Sequence, residues 1–170
     1  MTTTTLNDVN LAAVGELVQT IQDDPTQAQT VWKASVNWKG AFRSEAAVRD
    51  FDPVPSDEPA GLGGDDTAAN PVEQLLGALG NCLAVGYAAN ASVAGIELKA
   101  LRIDLEGDLD LTTFLGLAPG NAGYESITAS VTIDADAPAE AIDELHASVI
   151  ATSPVGHTLS RAVPVTIELA

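Results

Sequence analysis

From Asn70 to Gly95 the sequence spells out one long helix that is apolar on almost every side. Asn70-Pro71-Val72-Glu73 offers an N-cap, a proline at the first helical position and a glutamate three residues after the cap, and Gly95 offers the stop. At about 1.5 Å per residue, positions 71–94 span roughly 36 Å, a long element for a small domain. Small residues (Gly77, Ala78, Gly80, Ala84, Gly86, Ala88, Ala91) are scattered around it, with Leu75, Leu76, Leu79, Leu83 and Tyr87 as bulk. A helix without a polar face has to be covered on most sides, and small side chains let another helix approach closely. The helix is therefore expected to be central. Its most apolar part, from Leu75 to Ala89, is interrupted by Asn81. It also falls short of the about 20 residues that a membrane span requires, so it reads as core.

The other elements follow from periodicity. Val14, Leu17, Val18 and Ile21 recur at helical spacing before Pro25, predicting an N-terminal helix over residues 6–23. Trp32, Ala34, Val36 and Trp38 alternate with Lys33, Ser35 and Asn37, predicting a half-buried strand from Thr30 to Trp38. Lys39-Gly40 turns the chain into a second strand from Arg43 to Phe51, and the Pro-, Gly- and Asp-rich stretch 52–69 reads as a loop. Alternation returns at Leu101–Glu106 and again at Ile127–Ile133, giving two strands with one wet face each. Leu111 to Ala122 is a loop or a short helical turn. Ile142, Leu145, Val149 and Ile150 mark a second amphipathic helix that begins near Pro138 and ends by Thr152. Ser153-Pro154 restarts a short helix, and Val163, Val165, Ile167 and Leu169 predict a final edge strand containing Pro164. Cleanly alternating strands pack helices on one face, so the fold class is α+β with a largely antiparallel sheet on the central helix.

Charge excludes one class of function. There are 24 acidic residues against 7 basic ones, a formal net charge of −17. Nucleic-acid binding depends on Lys and Arg displacing counterions from phosphates, and this chain lacks the supply. The acidity suits a salt-rich cytoplasm or simply an acidic protein, and the first reading predicts salt-dependent stability. No basic residue precedes Lys33, so no secretory signal is recognised and a cytoplasmic location is expected. No membrane partner, cofactor or metal is expected either. His146 and His157 lack the spacing or companion cysteines of a metal site. Gly61-Leu62-Gly63-Gly64 lacks the Lys-Ser/Thr ending of a phosphate cradle.

The chain has one cysteine, Cys82, in the middle of the long helix. It can be a reactive thiol or a small hydrophobe that packs, and the residues alone balance the two. An ordinary thiol is only about 3% ionised at pH 7, so reactivity calls for help such as an adjacent guanidinium.

The segment from Asn70 to Leu83, with its Asn-Pro helix start and a cysteine deep in the helix, resembles the OsmC/Ohr family. Asp57-Glu58-Pro59, Gly61-Leu62-Gly63-Gly64, Gly95-Ile96-Glu97-Leu98 and Ser153-Pro154-Val155-Gly156-His157-Thr158-Leu159 match further landmarks in order and spacing. The likeness assigns residues 29–170 to an OsmC-like domain and leaves 1–28 as a helical extension. It implies an intertwined homodimer and, as in many members, a thiol peroxidase acting on organic hydroperoxides, with an external thiol as reductant. It also implies site residues. Cys82 matches the reactive cysteine. Arg43, or failing it Arg49, matches the hairpin arginine, both being placed on one face of the second strand. Glu73 stands one residue later than the family glutamate, and its service as capping-box partner of Asn70 is the favoured reading. The second family cysteine is replaced by Ser153, expected to be an N-cap, so an internal disulfide cannot close. The other reading is a non-enzymatic module that binds an apolar small ligand.

Overall fold

A computed structural model describes residues 5–169. Its elements in chain order are α1 (Leu11–Asp23), β1 (Ser35–Gly40), β2 (Arg43–Ala47), β3 (Val54–Ser56), α2 (Pro71–Ala94), β4 (Leu98–Leu109), α3 (Leu111–Phe114), β5 (Tyr124–Ala135), α4 (Ala139–Thr152) and α5 (Pro154–Leu159). Both sheets are antiparallel, so the α+β class expected from the alternating strands is what the chain adopts. The chain divides into two compact units. One is residues 12–75, and the other comprises the described residues before 12 and after 75.

In the unit 12–75, β1, β2 and β3 form a three-stranded sheet in that order. The hairpin pairs Ser35 with Ala47 and Trp38 with Ser44, and a bulge follows at its turn. Two expectations are corrected here. The first strand begins at Ser35 rather than Thr30, because β2 ends at Ala47 and earlier residues have no ladder partner. The second strand stops at Ala47 rather than Phe51, with Arg49 in a left-handed turn at φ 52°. Within the stretch read as loop, Val54-Pro55-Ser56 pairs along β2 as an edge strand, where a proline is tolerated. The loop that follows is organised by Asp57, buried at 1% exposure. Its carboxylate accepts from the backbone N–H of Glu58, Asp65 and Thr67 and from the Thr67 hydroxyl. The Thr67 hydroxyl, against the opposing effect of burial, holds this carboxyl below the usual aspartate range. β1 was expected to be half-buried, yet Val36 and Trp38 stand 65% and 74% exposed. Alternation records that a face is apolar, not that it is covered, and among the described residues these two side chains stay exposed.

The other unit holds the core. Leu79, Leu83, Tyr87 and Ala91 of α2 pack with Ile96 and with Leu145 and Val149 of α4. One face of the β4–β5 ribbon, including Leu101, Ile103, Leu105, Val131 and Ile133, closes over them. The register sets Leu101 opposite Ile133 and Ile103 opposite Val131, so the alternating residues do converge on one face. Arg102 and Asp104 lie on the wet face and form a bidentate ion pair. That pairing draws the carboxyl below its usual range. The Asn7 side chain ties the start of the chain to this unit. It donates to Ser92 Oγ and to the Ile96 carbonyl at 3.0 and 2.9 Å, and accepts from Leu98 N at 2.8 Å. Asn7 and Asp8 both have positive φ, which is why α1 starts at Leu11 instead of residue 6.

The expected final strand is absent among the described residues. Val165, Ile167 and Leu169 are 79%, 91% and 104% exposed, in a segment without regular structure. A strand exists through its ladder, and among the described residues no neighbouring strand supplies one.

Candidate functional site

The long helix has the bounds its caps predict. Asn70 Oδ1 accepts from Glu73 N and Glu73 Oε2 accepts from Asn70 N, both at 2.9 Å, a complete capping box. At the far end Gly95 takes φ 73°, the left-handed stop that glycine adopts without steric penalty. The Asn70 amide also donates to Glu58, and Gln74 donates to the carbonyls of Pro55 and Ala69.

Cys82 lies halfway along this helix and is half-buried. The residue it meets is Ser153, where α4 ends and α5 begins: Cys82 Sγ is 3.3 Å from Ser153 Oγ. The meeting is fixed by local rules. Pro154 cannot continue α4 but suits the first position of α5. Ser153, extended at φ −69° and ψ 112°, caps that helix by accepting from Gly156 N at 3.1 Å. The serine is 4% exposed. The expected cap is present, and it holds a hydroxyl against the Cys82 sulfur.

The pair lies in a cavity of about 450 Å³, also lined by Asn81, Val85, Gly86, Ala89 and Val149. Val149 approaches α2 at Gly86, where a Cβ would come within 3.0 Å of its Cγ1. A small residue is what lets α4 come close enough to place Ser153 at Cys82. The lining carries no charge, so the site suits an apolar molecule with one polar reacting end. Among the described residues, no group of three or more His, Cys, Asp or Glu could hold a metal ion. No described helix is long and apolar enough to cross a membrane.

The other residues singled out in the sequence belong to the unit 12–75 at the level of their own partners. Arg43 forms an ion pair with Asp65, on a side chain 44% exposed. Arg49 stacks its guanidinium over Phe51, 4.5 Å from the ring centroid. Glu73 is engaged by the cap. The face-sharing expected of the two arginines does not hold, because Arg49 is off the strand.

Sequence reasoning missed a polar pair at the edge of the core, between buried Tyr87 and exposed His146. The hydroxyl of Tyr87, a residue 1% exposed, is hydrogen-bonded to His146 Nδ1, with the rings 21° from parallel. Burial pushes the phenol above its usual range. The only signal was a tyrosine on the apolar face of α2 and a histidine beside the apolar stripe of α4. Neither position announces the other.

The sequence model of the OsmC-like protein family matches residues 63–168, which contain both Cys82 and Ser153. The chain belongs to the OsmC-like family. Solved structures agree with this OsmC-like fold. The OsmC-like protein of Mycoplasma pneumoniae superposes with a TM-score of 0.67 at 18% identity, over 78% of this chain and 89% of that one. The organic hydroperoxide resistance protein OsmC of Legionella pneumophila gives 0.59 at 16% identity, over 77% and 91%. An organic hydroperoxide resistance protein from Elizabethkingia anophelis gives 0.56 at 14%, over 76% and 89%. At such identities the likeness establishes the fold. No curated protein sequence matches the chain.

Proposed function

We propose that this OsmC-like protein is a one-cysteine thiol peroxidase that reduces organic hydroperoxides in the cytoplasm. The observation that carries the reading is the position of Cys82, half-buried in an uncharged cavity with its sulfur beside a buried hydroxyl. The Cys82 thiolate attacks the terminal oxygen of the hydroperoxide. The S–O bond forms as the O–O bond breaks, and the departing alkoxide takes a proton to leave as the alcohol. Cys82 is left two electrons more oxidised, as a sulfenic acid. Ser153 cannot resolve it, so an external thiol condenses with it, releasing water, and a second thiol frees Cys82 as an external disulfide departs. The residues that the family resemblance adds to this chemistry, Arg43 or Arg49 and Glu73, are proposed to assist Cys82. No separate cofactor is required.

The test is oxidation of the reduced protein with one equivalent of cumene hydroperoxide, followed by a sulfenate-trapping dione and intact mass. Label on Cys82, formed much faster than on free cysteine and slowed by Arg43→Ala, supports the proposal. A rate equal to that of free cysteine, unchanged by either arginine substitution, overturns it. The second reading, an apolar-ligand module in which Cys82 only packs, is favoured by serine at the position of the second family cysteine. It predicts binding of an apolar fluorescent probe that Cys82→Ala leaves unchanged, with no oxidation faster than that of free cysteine.

The same reading includes a homodimer. Its support is the exposed apolar surface on β1 and in the C-terminal segment, which a second copy would cover.

A further inference from the structure

We propose that Ser153 is a catalytic residue of this reaction: its hydroxyl donates a hydrogen bond to the Cys82 sulfur, stabilising the thiolate before attack and the sulfenate after it. The inference rests on the peroxidase reading and adds to it a group with no counterpart in a two-cysteine cycle.

The direction of the bond follows from counting protons. Ser153 Oγ has one hydrogen and two lone pairs. Gly156 N–H donates to one lone pair at 3.1 Å, so the cap uses the oxygen as acceptor and leaves its hydrogen free. The sulfur is 3.3 Å away, within reach of a sulfur hydrogen bond. A thiolate has no proton and can only accept. Whenever Cys82 is ionised, therefore, Ser153 has to be the donor. The Gly156 N–H also polarises the hydroxyl and strengthens it as a donor.

Placement and shielding favour the same role. Ser153 is 4% exposed, so water competes little for its hydrogen. Its backbone is fixed between the end of α4 and Pro154. A Cβ on Gly156 would come within 3.0 Å of Ser153 Oγ and 3.2 Å of its Cβ, so glycine there leaves the hydroxyl its position. The donor is held in place before the reaction starts, which is what makes a hydrogen bond to developing charge effective. Capping and catalysis are compatible because they use opposite ends of one hydroxyl. During attack the Ser153 proton stays on its oxygen, and the alkoxide takes its proton from solvent.

The experiment compares wild type with Ser153→Ala, Ser153→Gly and Ser153→Thr, reading the rate of dione-trapped sulfenate after cumene hydroperoxide and, in parallel, thermal melting. A lost hydrogen bond to a charged sulfur should slow oxidation about tenfold in the Ala and Gly variants, and threonine should restore it to within about threefold. Melting should fall further for alanine than for glycine, since glycine is the better cap residue, so stability and rate separate. Ala and Gly variants that oxidise at the wild-type rate overturn the role of Ser153 while leaving the peroxidase reading intact. If wild type itself reacts no faster than free cysteine, the peroxidase reading fails. Alkylation by iodoacetamide then judges the hydrogen bond alone: the same ordering supports it, and equal rates overturn it.

Discussion

The close approach of α2 and α4 at Gly86 and Val149 can be measured as a coupling energy. Val149 is 1% exposed and sits where a Cβ on Gly86 would meet its Cγ1 at 3.0 Å and its Cγ2 at 3.7 Å. Val149→Ala removes two buried methyl groups at about 0.8 kcal/mol each and leaves some cavity, for a loss of about 2 kcal/mol. Gly86→Ala gains about 1 kcal/mol of helix propensity but overpacks a buried contact by about 2 kcal/mol, a net loss of about 1 kcal/mol. Independent effects would sum to about 3 kcal/mol in the double variant. Contact predicts otherwise. With Val149 shortened, the new methyl occupies vacated space, the strain disappears and the propensity gain remains, so the double variant should lie within about 1 kcal/mol of wild type. Urea unfolding followed by circular dichroism at fixed salt gives the four stabilities, and equal m-values confirm that all four unfold alike. Additivity within about 0.5 kcal/mol would refute the packing that brings Ser153 to Cys82.

Asn70→Ala should lower stability by about 1 kcal/mol through loss of the capping box, seen as a fall in melting temperature. The Asp57 carboxyl is held below its usual range by Thr67, so its stabilisation is complete above the unfolded aspartate value and is lost as pH falls through the folded one; Thr67→Val should shift acid unfolding to higher pH, and an unmoved acid limb refutes this. Ser153→Cys should place a second sulfur near Cys82, where an oxidant closes a bond of about 2.05 Å, detectable as loss of two free thiols in a monomeric mass; two persistent thiols after oxidation would contradict the geometry. Light scattering should return twice the 17.4 kDa chain mass, and a monomer at all concentrations refutes the dimer.

What the sequence disclosed was what is set locally. The bounds of α2 were legible because Asn70, Pro71, Glu73 and Gly95 act within one turn of their own positions. β4 and β5 were legible because period-two alternation survives in both partners of a ladder. Errors arose where an outcome depends on a neighbour. The alternation of Val36 and Trp38 gave an apolar face but not its cover, and that of Val163 to Leu169 gave an apolar segment but no ladder. Arg49 was aligned with Arg43 on the assumption that the strand continued, whereas a positive φ ends that parity. Ser153 was read as a cap, which it is. That its hydroxyl lies beside the Cys82 sulfur depends on two residues 71 positions apart meeting, and spacing cannot encode that.

The Asn7 amide has a consequence for synthesis of the chain. Its partners, Ser92, the Ile96 carbonyl and Leu98 N, lie 85, 89 and 91 residues downstream. At about 5–20 residues per second a ribosome makes the last of them roughly 5–20 s after Asn7 itself. Throughout that interval the Asn7 side chain lacks the full set of these partners. Residues 12–75 are thus complete as polypeptide before Asn7 can be fastened to Ser92, Ile96 and Leu98. Such a late, long-range closure belongs to the end of folding rather than to its nucleus.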